Sequence, residues 1–324
     1  MARVIDTGQA LVDLVVEVPD LPLRGGNVMA DADTRYAGGS VNILVAAARA
    51  GATGVLAGAH GTGVNGDLIR SVLAAEGVQI SPDPVPCLDT GLCLVLIEPS
   101  GERTFITTRG AERQISIESL DTSQPEAGDL ICVTGYSLLE PTASPLLGWL
   151  EQIADGGAQV VFDPGAIFVE IEESVRARML ALTSVWTSNA EEARDATGES
   201  DPARAARELR GLLRPDAVVV VRDGPDGCYL NTGPPSDPTD ACEETSDLPT
   251  QGTVHVPGYP QQAVDTNGAG DAHTGVLAAE RTLGADWHTA AVRANVAGAI
   301  KVTRKGPATA PTRAEVDEFL TRLG

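Results

Sequence analysis

The sequence predicts an α/β fold in which helices flank a mostly parallel central sheet. From about residue 40 onward, short runs of β-branched residues alternate with Ala-rich amphipathic segments, the pattern of repeated βαβ units. Hydrophobic residues make up 43% of the chain and aromatic residues only 3%, so the core has to be built from Ala, Val, Leu and Ile. Several glycines also follow predicted helices directly, where C-caps are expected.

Short, continuously apolar runs are predicted as strands that are buried on both faces. These strands are Val55–Ala59, Asp129–Thr134, Gln159–Asp163, Ser184–Thr187 and Ala217–Arg222. Amphipathic segments between and after them are predicted as helices. These helices are Val41–Ala50, Gly66–Glu76, Pro145–Ala154, Ala190–Thr197, Pro202–Leu213, Ala269–Leu283, Trp287–Thr303 and Arg313–Leu323.

Two regions break this alternation and predict a separate small sheet. One is Leu11–Val18 with the Pro- and Gly-containing segment that follows it to Tyr36. The other is the pair Leu92–Glu98 and Arg103–Thr108, which flank a short turn. The turn and the alternating side chains are typical of antiparallel strands, and we expect about four of them to form a flap over the main domain.

The charge balance argues against polyanionic partners. The chain has 23 Lys and Arg against 45 Asp and Glu, a formal charge of −22, and its arginines are scattered. Nucleic acid and anionic membrane surfaces would therefore repel it. The lysines, Lys301 and Lys305, do not precede Ser or Thr, which excludes a P-loop NTPase.

Cysteine, histidine and hydropathy patterns predict a reduced protein of the cytoplasm. The five cysteines lack C-x-x-C spacing and the four histidines are dispersed, so neither a disulfide frame nor a zinc cluster is expected. Asp6 and Asp13 interrupt the amino-terminal segment, and no run of 18 apolar residues occurs. Residues 233–251 carry four prolines and five acids but no base, which is typical of a mobile loop between two strands.

The most informative stretch runs from Val264 to Asp271, where a glycine-rich turn leads directly into a helix. The helix leaves the N–H groups of such a turn free, so Gly268, Ala269 and Gly270 can cradle a phosphoryl group without a lysine. Asp271 follows in the first helical turn, where its carboxylate can take a proton from an attacking hydroxyl. An ordinary N-cap aspartate after a flexible turn is the structural alternative.

Four motifs, taken in order, resemble those of the PfkB (ribokinase-like) carbohydrate kinases. The carboxy-terminal signature is D-T-N-G-A-G-D at 265–271, and the amino-terminal one is A-G-G-S-V-N at 37–42. The S-N-A-E-E stretch at 188–192 is similar to the family's N-x-x-E motif, and V-T-R-K-G-P-A at 302–308 is similar to ribokinases. The resemblance covers essentially the whole chain.

The resemblance implies a ribokinase-like three-layer sandwich that spans residues 1–324 as a single kinase domain. It makes the small sheet a lid, built from approximately residues 10–36 and 88–110. The family often joins two lids, and lid strands present unpaired edges, so a homodimer is expected.

The resemblance also implies substrate-binding roles. Asp13 matches an aspartate that accepts hydrogen bonds from sugar hydroxyls, while Gly38 and Gly39 let the backbone approach the sugar. Asn42 offers both a donor and an acceptor, and Glu140 is similar to a carboxylate that reaches the substrate. From the residues alone, Asp13 reads as a polar residue on the outer face of a strand and Asn42 as a helix cap.

ATP is the implied phosphoryl donor, and five residues match the family's nucleotide contacts: Asn189, Arg222, Gly224, Gly227 and Asn295. Asn189 and Glu192 lie three residues apart at the start of one helix, so their side chains share a face of that helix and would hold hydrated Mg²⁺. The alternatives are that Glu192 is a capping-box acid and that Arg222 is solvated at a strand end. A monovalent cation, K⁺, is implied behind the cradle, held by Asp265 and the turn at 304–308.

A literal G-x-G-x-x-G at 61–66 lies between a strand and a helix and suggests a dinucleotide-binding turn. The acid expected about twenty residues later should follow a strand, but the chain there enters Pro-rich coil. The PfkB family usually has Asp where Gly63 stands and uses this stretch as a structural turn. The sequence therefore favours a structural turn over dinucleotide binding.

Together these features predict an ATP-dependent kinase that phosphorylates a primary hydroxyl of a small sugar, such as ribose, fructose or a keto-deoxy sugar acid. Asp271 would activate the hydroxyl, while Mg²⁺ and the amides of 268–270 would offset charge on the γ-phosphoryl group. The alternatives are a nucleoside or vitamin kinase of the same superfamily, a non-catalytic sugar-binding protein, and an NAD(P)-dependent oxidoreductase.

Overall fold

The computed structural model describes residues 1–233 and 252–323. In these ranges the strands are β1 Arg3–Asp6, β2 Ala10–Glu17, β3 Ala32–Gly39, β4 Thr53–Leu56, β5 Gln79–Ile80, β6 Leu92–Ile97, β7 Arg103–Thr107, β8 Leu130–Thr134, β9 Gln159–Asp163, β10 Val185–Asn189, β11 Val218–Arg222, β12 Gly227–Asn231 and β13 Thr253–Pro257. The helices are α1 Ser40–Arg49, α2 Val64–Ala75, α3 Ile117–Asp121, α4 Ala143–Ile153, α5 Glu173–Leu182, α6 Ala190–Thr197, α7 Pro202–Leu212, α8 Ala269–Thr282, α9 Trp287–Lys301 and α10 Arg313–Leu323. The loop predicted at 233–251 lies outside the described residues, apart from residue 233.

A nine-stranded sheet has the order β13-β12-β11-β10-β9-β8-β1-β4-β5. From β11 to β5 all neighbours are parallel, whereas β12 and β13 form an antiparallel pair at one edge. The prediction of a mostly parallel sheet is confirmed. Strands β1 and β5 were not predicted, because runs of four and two residues are too short to show a hydrophobic pattern.

Helices cover both faces of this sheet and make three layers. Alternate strand residues point to opposite faces, so Ile131 and Val133 pack with α3 to α7 while Leu130 and Cys132 pack with α1, α8, α9 and α10. Helix α5 was not predicted because Met179 is its one fully buried residue in the described structure, which leaves no apolar stripe to detect. No helix within the described ranges is long and apolar enough to cross a membrane.

The four-stranded small sheet has the order β3-β2-β6-β7. Strands β2 and β3 are antiparallel, as are β6 and β7, but β2 and β6 are parallel. The expectation of a purely antiparallel small sheet is therefore wrong. The chain leaves β2 and β3, passes through α1, β4, α2 and β5, and re-enters beside β2 in the same direction, and such a long crossover is what parallel neighbours require.

Polar residues stand at the carboxyl ends of the parallel strands. Asp6 ends β1, Asp163 ends β9, Asn189 ends β10 and Arg222 ends β11. The register places Asn189 opposite Arg222, so these ends form one edge of the sheet. Open α/β sheets bind ligands at this edge, and the residues predicted for the site gather there.

Candidate active site

The turn before α8 needs glycine for its shape. Gly268 is the N-cap with φ of +76°, and a Cβ there would lie 2.5 Å from the carbonyl oxygen of Pro307. Of the three amides predicted to form the cradle, that of Ala269 donates to Thr266 O at 3.2 Å and closes the turn. The N–H group of Gly270 has no partner among the described residues, as expected in the first turn of a helix.

Asp271 is held at the start of α8 by a residue of α1. Asn42 Nδ2 donates to Asp271 Oδ2 at 2.8 Å. This contact depends on Gly275, because a Cβ there would overlap the carbonyl oxygen of Ile43 and push α1 away from α8. Burial raises the pKa of Asp271, while the Asn42 hydrogen bond and the positive charge of Arg222 oppose that rise.

Asn42 was predicted as a substrate ligand, and the structure adds this contact with the proposed base. Its Oδ1 is buried and has no partner in the described part of the chain. Asp13 lies on β2 beside Gly38, where a side chain would overlap the Asp13 carboxylate. Burial and the charge of Asp271 raise the pKa of Asp13 to about 7. Asp13 and Asp271, with Asn42 bonded to the latter, thus form one acidic group at the lid side of α8.

Asp6 belongs to the same acidic group and was missed as a site residue. It is fully buried, and its Oδ1 accepts hydrogen bonds from Ser40 Oγ and Gly8 N, both at 2.7 Å. Burial, opposed by these hydrogen bonds, raises its pKa to about 7. The available signal was an acid that directly follows the apolar pair Val4 and Ile5.

Two other predicted substrate residues have local structural roles. Gly39 has φ of +62° and a Cβ there would overlap the carbonyl oxygen of Gln9, so glycine is required by the backbone. Glu140 is exposed, and its Oε1 accepts from Ser144 Oγ at 2.9 Å. Contact of either residue with a sugar stays a prediction.

A cavity of about 430 Å³ lies beside the start of α8. All five residues predicted to bind nucleotide line it, namely Asn189, Arg222, Gly224, Gly227 and Asn295. Ala269 and Gly270 of the cradle line it as well. At the turn between β11 and β12, Gly227 has φ of +104° and a side chain would overlap the carbonyl oxygen of Val256. The structure therefore joins the predicted nucleotide residues and the cradle in one space.

Arg222 is a buried counter-ion, so its reading as a solvated residue at a strand end is wrong. Its side chain is 12% exposed. Nη1 donates to Asp163 Oδ2 at 3.1 Å and to the hydroxyls of Thr187 and Thr274 at 2.8 and 3.0 Å, and Nη2 lies 3.7 Å from Glu192 Oε2. Asp163, which was not predicted as a site residue, thus shares one guanidinium with Glu192.

Asn189 and Glu192 form a reciprocal capping box at the start of α6. Asn189 Oδ1 accepts from Glu192 N, and Glu192 Oε2 accepts from Asn189 N, both at 2.8 Å. The capping alternative for Glu192 is therefore observed. Burial and the nearby Asp163 carboxylate also raise the pKa of Glu192. Binding of Mg²⁺ by this pair stays a prediction.

Asn295 is hydrogen-bonded to His273, a residue for which the sequence predicted no role. Asn295 Nδ2 donates to the carbonyl oxygens of Val256 and Pro257 at 3.0 and 3.1 Å, and its Oδ1 lies 3.1 Å from His273 Nε2. Burial and Arg222 lower the pKa of His273 to about 3, so the ring is neutral with its proton on Nε2. His273 lines the cavity, and its Nδ1 has no partner among the described residues.

Asp265 precedes the cradle and is surrounded by donors. Oδ1 accepts from Arg103 Nη2 at 3.1 Å and from Asn267 N at 2.9 Å, and Oδ2 accepts from Gly306 N at 2.9 Å. Its main-chain oxygen accepts from Lys301 Nζ at 2.8 Å. The oxygens of Asp265, one of the predicted ligands of a monovalent cation, are thus bonded to groups of the protein itself.

The G-x-G-x-x-G turn at 61–66 has no free anion site. Asp89 Oδ1 accepts from Gly66 N at 2.9 Å, and Oδ2 accepts from Asn65 N at 3.1 Å. A side chain at Gly63 would overlap the Asp89 carboxyl group. Because a carboxylate of the protein already occupies the start of α2, this turn is structural.

The fold and the site together define a phosphotransferase that acts on an alcohol group. The chain belongs to the pfkB family of carbohydrate kinases, whose model, described as "pfkB family carbohydrate kinase", matches residues 1–313. The uncharacterized sugar kinase YegV of Escherichia coli K12 is 30% identical over 97% of this chain and 92% of its own length.

Solved structures share this fold. Ribokinase of Arabidopsis thaliana, in complex with ribose and ATP, superimposes with a TM-score of 0.79 at 22% identity, over 99% of each chain. Fructokinase of Vibrio cholerae, with bound fructose, ADP and calcium, gives a TM-score of 0.77 at 26% identity, over 99% of each chain. The predicted ribokinase-like three-layer fold is confirmed.

Proposed function

We propose that this protein transfers the γ-phosphoryl group of ATP to a primary hydroxyl of a small sugar, such as ribose, fructose or a keto-deoxy sugar acid. One observation carries the proposal: Asp271, which is bonded to Asn42 and lies close enough to Asp13 to raise the pKa of that carboxyl, directly follows Ala269 and Gly270, which line a cavity of about 430 Å³. The acceptor hydroxyl and the terminal phosphate would meet at Asp271.

On the acceptor side, Asp271 would take the proton of the attacking hydroxyl. Burial raises its pKa, which brings a carboxylate closer to the pKa that suits a base at neutral pH. Asn42 holds one carboxylate oxygen at 2.8 Å and would orient the base; its own Oδ1 is buried without a partner in the described residues and would reach a sugar only after a rearrangement of the site. Asp13, when ionised, would accept from other sugar hydroxyls, and Gly38, Gly39 and Glu140 are the remaining proposed contacts.

On the donor side, the amides of Gly268 and Gly270 would stabilise negative charge on the transferring group, whereas the amide of Ala269 is used to close the turn. Gly270 N has no protein partner in the described ranges, which supports this role. Positioning would supply most of the rate enhancement, because phosphoryl transfer requires little covalent chemistry from the protein.

Mg²⁺ fits the donor set beside Arg222. Asp163 and Glu192 are two carboxylates that share one guanidinium, so this cluster keeps a net negative charge that favours a hard divalent cation. Glu192, and Asn189 through water, would hold the ion. When bound, it would neutralise charge on the nucleotide phosphates.

The base of the nucleotide would lie against His273 and Asn295. The ring of His273 is neutral and lines the cavity, so it would pack against the base, whereas its Nδ1 is buried and not exposed to the cavity. Asn295 would position this ring. Gly224 and Gly227 would let the β11–β12 turn approach the phosphates.

The small sheet would act as a lid of the single kinase domain, and two lids would form a homodimer. Arg103 on β7 reaches across to Asp265, so lid and cradle are in contact. Phe105 and Ile106 on the same edge strand are 58% and 55% exposed, and burial of such side chains against a second lid would remove apolar surface from water. Light scattering after size-exclusion chromatography tests this: a mass of one chain contradicts the dimer.

A coupled assay of ADP release tests the proposed activity across pentoses, hexoses, keto-deoxy acids and nucleosides with Mg·ATP. We expect turnover with at least one sugar and its loss in Asp271→Asn. Turnover with nucleosides alone would replace the sugar by a nucleoside substrate. ADP release that never exceeds the blank without acceptor, together with a normal thermal shift on ATP binding, would make the protein a non-catalytic binder.

A further inference from the structure

Lys301 is fully buried, with 0% of its surface exposed, near the end of α9. Its ammonium donates to the main-chain oxygen of Asp265 at 2.8 Å. An ammonium group loses strong hydration when it is buried, so it is found inside proteins only where other interactions compensate. The chain has two lysines, and one of them is placed directly behind the phosphoryl cradle.

The surroundings of Lys301 do not fit a monovalent metal ion. Both carboxylate oxygens of Asp265 already accept hydrogen bonds, from Arg103 and Asn267 on one side and from Gly306 on the other. Its main-chain oxygen is bonded to the ammonium itself. An added K⁺ would have to displace these donors and stand beside two fixed positive charges, which repel it.

We propose that Lys301 supplies the positive charge that the resemblance assigns to K⁺, so that phosphoryl transfer in this protein does not require a monovalent cation. Asp265 lies three positions before Gly268, and its carbonyl oxygen is held by the ammonium. The charge therefore fixes the turn that aims the amides of 268–270. Lys301 is a positioning residue, and the inference rests on the proposed function because it assumes that this turn receives a phosphoryl group.

The positive charge of Lys301 also lowers the pKa of Asp271. Together with Arg222 it opposes the rise in the pKa of Asp271 that burial produces. Burial lowers the pKa of Lys301, and the nearby Asp265 carboxylate counteracts this effect. A cation behind the turn thus stabilises both the geometry of the cradle and the ionised form of the base.

Replacement of Lys301 by Met, a residue of similar length, tests the inference in potassium and tetramethylammonium salts of equal ionic strength. For the natural protein we expect kcat to differ by less than about twofold between the two salts. For Lys301→Met we expect kcat in tetramethylammonium to fall by about 10- to 100-fold, the range for loss of a partner that positions a functional group without touching the substrate, and K⁺ or NH₄⁺ to restore most of it.

Arg49→Met is the matched control. Arg49 is the last residue of α1. It also donates to a main-chain oxygen, that of Ala310 at 2.8 Å, and it forms an ion pair with Glu76. Arg49→Met removes one positive charge, as Lys301→Met does, but it leaves the contacts of the cradle unchanged. We expect no dependence on K⁺ in this variant.

Thermal unfolding with and without Mg·ATP gives a measurement that needs no turnover. We expect K⁺ to raise the Tm of Lys301→Met relative to tetramethylammonium and to leave the natural protein unchanged. If no sugar is phosphorylated by any variant, the proposed function fails while this comparison still tests the site of the cation.

The inference is overturned if the natural protein needs K⁺, if Lys301→Met keeps full activity in tetramethylammonium, or if its lost activity is not restored by K⁺ or NH₄⁺. If the Met variant does not fold, Lys301→Arg replaces it. Activity of Lys301→Arg without K⁺ supports the inference, and a requirement of this charged variant for K⁺ contradicts it.

Discussion

Two glycine-rich turns precede helices in this protein. They differ in the group that lies beside the free backbone amides of the first helical turn. At the start of α2 the Asp89 carboxylate accepts from Asn65 N and Gly66 N. At the start of α8 the amide of Gly270 faces a cavity, with Arg222 beside it. One turn contains its own anion, and the other is open to an anion from a ligand.

The two carboxylates respond in opposite ways to their positions. Although burial opposes it, the hydrogen bonds from backbone amides lower the pKa of Asp89. Asp271 is bonded by the Asn42 amide instead, and burial dominates and raises its pKa. A carboxylate that binds helix amides caps a helix, whereas one that is kept from them is available as a base.

Loss of Asp271 is expected to have the largest effect. Asp271→Asn removes the proposed base and should lower kcat by about 10³-fold or more, while ATP affinity changes little. Steady-state kinetics with the best sugar and calorimetric titration of ATP measure both quantities. Near-normal turnover would refute the role of Asp271 and with it the contrast between the two turns.

Loss of Arg222 is expected to act on stability. Arg222→Met leaves Asp163 and Glu192 without their shared counter-ion, which should cost about 3 kcal/mol of unfolding free energy at pH 7. Because burial raises the pKa of Glu192, protonation of that carboxylate relieves the repulsion, so the deficit should shrink at pH 5. Urea unfolding at both pH values measures it, and an equal deficit at each pH would contradict this account.

Loss of Asp89 should affect stability without catalysis. Asp89→Ala removes the anion from the start of α2 and should cost about 1–2 kcal/mol, with kcat and KM unchanged. Because the folded protein lowers the pKa of Asp89, this contribution is present at pH 7 and is lost as the pH falls below about 4. A fall in kcat with unchanged stability would show that the α2 turn takes part in catalysis.

The effect expected at Asp6, which meets a single backbone amide, appears only at neutral and higher pH. Its pKa is raised to about 7 in the folded protein from 3.8, so folding takes up a proton and stability falls as the pH rises from 3.8 to about 7. Asp6→Asn removes this loss and should raise Tm at pH 8 by several degrees, with little change at pH 4. Differential scanning calorimetry checks the sign, and a lower Tm at pH 8 would contradict it.

Much of the site could be predicted because its residues lie in local motifs. A few consecutive residues are enough to recognise each motif. These motifs are the D-T-N-G-A-G-D turn, the N-x-x-E start of a helix and the two glycines after β11. The contact of Asn42 with Asp271 joins positions 229 apart in the chain. No local pattern reports such a pair, because it depends on how closely α1 and α8 pack.

One physical reason explains why three residues of the site were not predicted from the sequence. Asp6 and Asp163 each accept from a backbone amide two residues on, but no neighbouring side chain in the described structure bonds to them or to His273. Their partners, such as Ser40, Arg222 and Asn295, come from other strands and helices. The parallel pairing of β2 and β6 was missed in the same way, since it follows from a long crossover rather than from either strand.

The sequence by itself determined the α/β architecture, the family and the positions of its signature residues, because hydrophobic periodicity and glycine-rich turns are properties of neighbouring residues. Only the tertiary structure decided which helix start is filled by Asp89 and which stays open, and that the ammonium of Lys301 stands behind the cradle. These outcomes depend on charges and amides brought together from distant segments, and burial makes each of those encounters strong enough to matter.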